Sequence, residues 1–216
     1  MSATNNLKLR MQRIAYPVTA LGPGNRIALW VAGCSLNCKG CITPELQPRN
    51  SGKEISVARL FKYLAQVPGS FDGITLTGGE PFEQPAPLVE LLEHLATIKP
   101  EWNTLVFSGY PLRHLLKMGV DCENLLAKTD ILIDAPFNNT APSHGKLTAS
   151  ANQSIHYLSL RGERLKDQCE HLNAKANLGL NSNQDDVLIG ILAPIERAHL
   201  HNALGIVRNG SEVAYD

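Results

Sequence analysis

The sequence predicts an α/β protein, a partial (incomplete) α/β barrel of mainly parallel strands with helices outside. Three observations predict it. Apolar runs of strand length alternate with helical patterns at least four times, the rhythm of strand–helix–strand units. The first such run ends in a loop carrying three cysteines, and strand ends are where open parallel sheets and α/β barrels place active sites. No Gly-x-Gly-x-x-Gly opens the first helix, which argues against a doubly wound dinucleotide fold.

In chain order, Gly22-Pro23-Gly24 is a turn signal and residues 26–33 read as a buried strand. Ser56 is placed to cap a helix whose apolar positions Val57, Leu60, Phe61 and Leu64 share one face. Residues 73–81 form a β-branched run broken by two glycines and a carboxylate. A helix follows, with Leu88, Leu91, Leu92, Leu95 and Ile98 on one stripe. Residues 104–110 again read as strand then turn, Leu112, Leu115 and Leu116 as a helical segment, and residues 130–136 as the fourth strand. Beyond Phe137 the rhythm loosens. Residues 138–153 are rich in Asn, Ser, Thr, Pro and Gly, a length of loop that binds or covers something. Residues 154–159 return one strand, residues 173–186 are polar and read as flexible, and residues 187–192 and 195–204 suggest a last strand and helix.

Composition narrows the function. The 20 basic and 20 acidic residues among 216 balance without a block of either sign, so no nucleic-acid surface is expected. Residues 1–10 hold no apolar run that would serve as a secretory signal, and the run Ile27 to Ala32 falls far short of the ~20 apolar residues that span a bilayer. A cytoplasmic protein with no membrane partner is expected. Five cysteines, three of them clustered, do not form a disulfide framework, and Cys122 and Cys169 read as core. Trp30 reads as core too, Asp185-Asp186 as a solvated turn, and Arg161 and Arg164 as exposed charge.

The chemistry lies with Cys34, Cys38 and Cys41. Thiolates are soft ligands for zinc or iron–sulfur clusters, and a purely structural site takes four protein ligands. Here there are three, and none of the seven histidines lies within ten residues of Cys34 or Cys41. A non-catalytic zinc or iron–sulfur module is one reading. A four-iron cluster with one iron left open for chemistry is the other. Thr77-Gly-Gly-Glu-Pro81, one strand and one helix later, adds glycines that permit close approach to the backbone and a carboxylate acceptor at Glu80.

The cysteine spacing, followed at this distance by Gly-Gly-Glu, resembles the radical S-adenosylmethionine (SAM) enzymes. The resemblance implies a 4Fe-4S cluster on Cys34, Cys38 and Cys41. It also implies SAM held by Gly78, Gly79 and Glu80, with Ser108 and Gly109 where related enzymes contact SAM. Asp134, ending a strand on the presumed active face, joins them as a candidate. In that family the open iron binds SAM, and an electron from the cluster splits it to methionine and a 5′-deoxyadenosyl radical.

Gly22-Pro-Gly24, Lys39-Gly-Cys41, residues 77–84, 107–110, 130–134 and 152–157 together look like the activating enzymes of anaerobic (class III) ribonucleotide reductase. That similarity covers residues 13–165, read as the radical SAM core, with 166–216 as an extension packed on or capping it. It implies hydrogen abstraction from a glycyl residue of a partner glycyl-radical enzyme and an electron donor such as flavodoxin or ferredoxin. Direct modification of a small molecule or peptide is the alternative within the same chemistry.

Overall fold

In the computed structural model, which describes residues 7–141, 143, 145, 147–172, 176–181 and 186–191, the chain builds one open nine-stranded sheet with its longer helices on the outer face. The strands are β1 (Lys8–Val18), β2 (Arg26–Val31), β3 (Lys53–Ser56), β4 (Gly73–Gly78), β5 (Asn103–Phe107), β6 (Ile131–Asp134), β7 (Ser154–Tyr157), β8 (Ala176–Asn181) and β9 (Asp186–Gly190). The helices are α1 (Val57–Ala65), α2 (Pro85–Ile98), α3 (Leu112–Leu115), α4 (Val120–Ala127), α5 (Leu160–Arg164) and α6 (Lys166–Glu170). Their order across the sheet is β7-β6-β5-β4-β2-β1-β8-β9, with β3 also on β1. The central four strands, β2, β4, β5 and β6, run parallel, and every outer pairing is antiparallel.

The parallel centre explains the unbroken apolar runs. All six residues of β2 are buried, because both faces are covered. Outward, Ile27, Leu29, Val31, Ile74, Leu76, Val106 and Leu132 meet Leu60 and Leu64 of α1, Leu88, Leu91 and Leu95 of α2, and Leu125 of α4. Inward, Ala28 and Trp30 join a cluster with Leu46 and Ile189, while Leu105, Ile131 and Ile133 join one with Leu147, Cys169 and Leu172. Ser56 caps α1 as expected, accepting from Arg59 N–H at 3.4 Å.

The α/β class and the open, parallel-centred sheet are as predicted. Several elements differ. β1 lies where only a lead-in was read, because lysine and arginine interrupt its apolar positions, and their long stems let the strand stay half-buried. β8 occupies residues read as flexible. Its backbone pairs with β1 at Ala15↔Asn181 and with β9 along its length, and backbone pairing does not require apolar side chains. α4 has no clear apolar stripe, yet tertiary packing buries Cys122, Leu125 and Leu126. Ile98, placed on the apolar stripe by periodicity, sits at the end of α2 and is exposed. The expected helix at 195–204 lies outside the described residues. No helix among the described residues is long and apolar enough to cross a membrane.

At the amino end of the parallel strands Arg26 is fully buried. Its guanidinium donates to Thr75 Oγ1 (2.6 Å), Asn103 Oδ1 (2.6 Å), and the carbonyls of Pro23 (3.0 Å), Ile74 (2.7 Å) and Asn103 (3.3 Å). Burial pulls its pKa down to about 10, so it stays charged at neutral pH. The Gly-Pro-Gly turn wraps this side chain. A Cβ at Gly22, whose φ is +139°, would stand 2.8 Å from Arg26 Cδ. Arg26→Met leaves those acceptors without a donor and should cost on the order of 3–5 kcal/mol, read as a lower urea midpoint with an unchanged m-value.

Candidate active site at the carboxyl end of the sheet

The parallel strands end together, and the loops that follow β2, β4, β5 and β6 gather the predicted residues. The cysteine loop leaves β2 through Gly33 at φ +95°, and further left-handed turns at Asn37 and Gly40 bend it back. Its base is fixed by backbone: Gly33 N–H donates to Leu46 O (2.8 Å) and Cys34 N–H to Gln47 O (3.0 Å). Inside the loop Cys41 N–H donates to Cys38 O (3.3 Å), as does the Gln47 side-chain amide (3.4 Å).

Cys34, Cys38 and Cys41 are all half-buried and free of disulfides. Burial pushes the Cys34 thiol up to about 11 and raises Cys38 as well. Backbone hydrogen bonds at Leu36 and Phe137 oppose these shifts. Among the described residues no three Cys, His, Asp or Glu side chains converge closely enough to hold a single ion. A four-iron cluster asks for a different arrangement, since each cysteine binds its own iron and the sulfurs stand apart around the cube. Three free, partly exposed thiols on one backbone-anchored loop fit that group.

The Gly-Gly-Glu turn sits directly against this loop. Gly79 N–H donates to Val31 O (2.8 Å) and Glu80 N–H to Gly33 O (2.9 Å), stitching the end of β4 to the end of β2. The glycines are required by that crossing: a Cβ at Gly78 would lie 2.5 Å from Val31 O, and one at Gly79 would strike the Gly33 carbonyl. Thr43 Oγ1 donates to Gly78 O (3.3 Å), adding a second tie between the same two loops.

Glu80 is 1% exposed and turns inward. Its Oε1 accepts from Phe82 N–H (3.0 Å) and Ser108 Oγ (2.9 Å), and its Oε2 from Gly109 N–H (2.8 Å). Three predicted residues, Glu80, Ser108 and Gly109, thus form one hydrogen-bonded unit. Burial lifts the Glu80 carboxyl to about 7, against those same hydrogen bonds, which favour its ionised form. Asp134, at the end of β6, is also buried. Its Oδ2 accepts from Leu112 N–H (2.6 Å), and its Oδ1 lies 3.0 Å from His156 Nε2, close enough for an ion pair but out of line for a hydrogen bond.

The residues missed from sequence are Ser35, Glu83, Gln84 and Tyr110. Gln84 braces β1 to the site, donating to Arg10 O and Ala32 O (both 3.0 Å) and accepting from Arg10 N–H (2.8 Å). Each bonds across a large sequence separation, so no local pattern announces it. Cys122 and Cys169 are buried as expected. Arg161, read as exposed charge, is exposed and also donates to the carbonyls of Pro100 (2.9 Å) and Trp102 beyond α2.

Comparison with known proteins places these features. A family described as "4Fe-4S single cluster domain" matches residues 20–156, a span that contains the three cysteines, Gly78–Glu80, Ser108, Gly109 and Asp134. An anaerobic ribonucleoside-triphosphate reductase-activating protein of Vibrio cholerae serotype O1 is 31% identical over 153 residues, which are 67% of this chain and 96% of that protein. Its counterpart of the same name in Escherichia coli K12 is 29% identical over 150 residues, 66% of this chain and 96% of that protein. Among solved structures, QueE from Escherichia coli aligns with a TM-score of 0.42 at 16% identity, covering 50% of this chain and 57% of that one.

Two outcomes test this geometry. Between its unfolded and folded pKa values Glu80 binds more protons in the folded state, so its contribution to stability falls as pH rises from the ordinary carboxyl range to about 7. In iron-free protein, the wild-type urea midpoint relative to Glu80→Gln should therefore decline from about pH 5 to about pH 8, and a flat or rising difference would refute the assignment. Gly79→Ala pushes the turn off the cysteine loop. It should keep the far-UV circular dichroism of the wild type but lose reconstituted iron to a chelator several-fold faster.

Proposed function

This chain belongs to the radical SAM family through its 4Fe-4S single cluster domain, and from that premise we propose that it activates a glycyl-radical enzyme of the anaerobic ribonucleotide reductase type. One observation carries the proposal: relatives named as activating proteins of that reductase align over 96% of their own length. Bound there, the cluster and SAM would supply one-electron chemistry for abstracting hydrogen from the partner's glycine, with a flavodoxin or ferredoxin as the electron source.

The protein's part is to bind, orient and exclude water. Cys34, Cys38 and Cys41 hold the cluster. Gly78, Gly79 and Glu80, on the turn packed against the cysteine loop, would hold the methionine end of SAM. Glu80 ties this turn to Ser108 and Gly109 through two hydrogen bonds, with a third from Phe82 N–H inside the turn itself. Asp134 borders the site from β6, where its contacts with Leu112 and His156 fix its orientation. The inner-face apolar residues Trp30, Leu105 and Ile133 exclude bulk water below the reacting groups.

The test is anaerobic. Reconstituted wild-type protein, reduced with dithionite and given SAM, should release 5′-deoxyadenosine and methionine, and Cys38→Ala should release neither, read by chromatography. Adding a class III ribonucleotide reductase should give a glycyl-radical signal in electron paramagnetic resonance. SAM cleavage with no such signal, but with deoxyadenosine formation stimulated by a small molecule or peptide, would replace activation with direct modification.

A further inference from the structure

Glu83 has no role in the reading above, yet it ties the cysteine loop to the rest of the site. It closes the short 3-10 turn Pro81–Glu83 directly after Glu80, and the two carboxylates leave that turn in different directions. Glu80 faces the protein interior, toward Ser108 and Gly109. Glu83 reaches the cysteine loop, where its Oε1 accepts from Ser35 N–H (2.9 Å), Ser35 Oγ (2.5 Å) and Tyr110 OH (3.1 Å). Ser35 Oγ and Tyr110 OH lie 3.1 Å from each other. A single oxygen therefore draws together the loops that follow β2, β4 and β5.

Ser35 is the residue after Cys34, so this oxygen fixes the backbone beside the first cluster ligand. Three donors converging on one carboxylate oxygen hold its charge in place, whereas an unbound side chain would swing it into water. A cluster bound by three thiolates gains negative charge on reduction, and a fixed anion nearby disfavours the reduced form.

We infer that Glu83 is a positioning residue for the cluster, locking Ser35 and so Cys34, and that its fixed charge lowers the cluster's reduction potential. The inference goes beyond the proposed function. It rests on cluster binding by the three cysteines and holds whatever molecule gives up hydrogen.

The test compares wild type, Glu83→Gln, Tyr110→Phe and Glu93→Gln as full-length chains, reconstituted anaerobically and titrated potentiometrically without SAM, with the reduced cluster followed by electron paramagnetic resonance. Glu83→Gln keeps an acceptor for Ser35 and removes the charge, so its midpoint should rise. Tyr110→Phe removes one donor that spreads the carboxylate's charge, so its midpoint should fall. Glu93→Gln makes the same charge change on α2, where Glu93 pairs with Lys128 at 3.1 Å, and should match the wild type. Equal midpoints for Glu83→Gln and wild type, or an equal rise in Glu93→Gln, would overturn the inference. Should Glu83→Gln bind no iron, Tyr110→Phe decides: a fall supports the inference, and no change or a rise overturns it. A wild type that binds no iron would overturn the cluster assignment and this inference together.

Discussion

The buried carboxylate of Glu80 is the interaction on which the site depends. Its own N–H is bonded to the cysteine loop at Gly33 O, and its side chain holds Ser108 and Gly109 at the end of β5. One residue thereby fixes the spacing of three adjacent strand ends. Among the described residues no cation pairs with it. Three hydrogen bonds offset only part of the cost of burial, which is why its pKa is pushed up to about 7. The molecule accepts that cost at a position where the cysteine loop, the glycine turn and the next strand end meet.

The two ends of the parallel sheet solve opposite problems with the same device. At the amino end Arg26, fully buried, is satisfied by Thr75, Asn103 and backbone carbonyls rather than by a carboxylate. At the carboxyl end Glu80 is satisfied by N–H and hydroxyl donors rather than by a cation. Neutral partners fix each charge in direction without a second long, mobile side chain. The amino end is closed by this network and by the glycine turn around it. The carboxyl end stays lined by loops whose backbones touch each other, leaving the half-buried cysteines facing outward.

The sheet extends beyond the residues shared with the matched family. The matched region ends near β7, and the strands beyond it, β8 and β9, add to the free edge of β1. Ile189 from β9 is buried with Ala28 and Trp30 on the inner face. Residues beyond the shared region thus contribute to the wall beneath the site, so the interior is not that of a bare core.

The sequence by itself determined the class of the fold and, through the spacing of Cys34, Cys38 and Cys41, the resemblance to a 4Fe-4S domain. Buried parallel strands need continuous apolar runs, and helices over them need stripes, so residues 26–33, 57–64 and 73–78 declare themselves locally. Three cysteines within eight residues are likewise a local signal. Tertiary structure decided what each motif residue does. Gly78 and Gly79 looked like room for a ligand and are first of all room for the β2 backbone; Glu80, read as a carboxylate acceptor, is buried and accepts from the protein's own donors. It also decided β1, β8 and α4, whose existence rests on pairing and packing partners far along the chain, and the Ser35–Glu83–Tyr110 contact, which spans separations of 27, 48 and 75 residues. Local periodicity records which face of an element is buried, but a hydrogen bond between loops exists only once the strands that carry them are side by side.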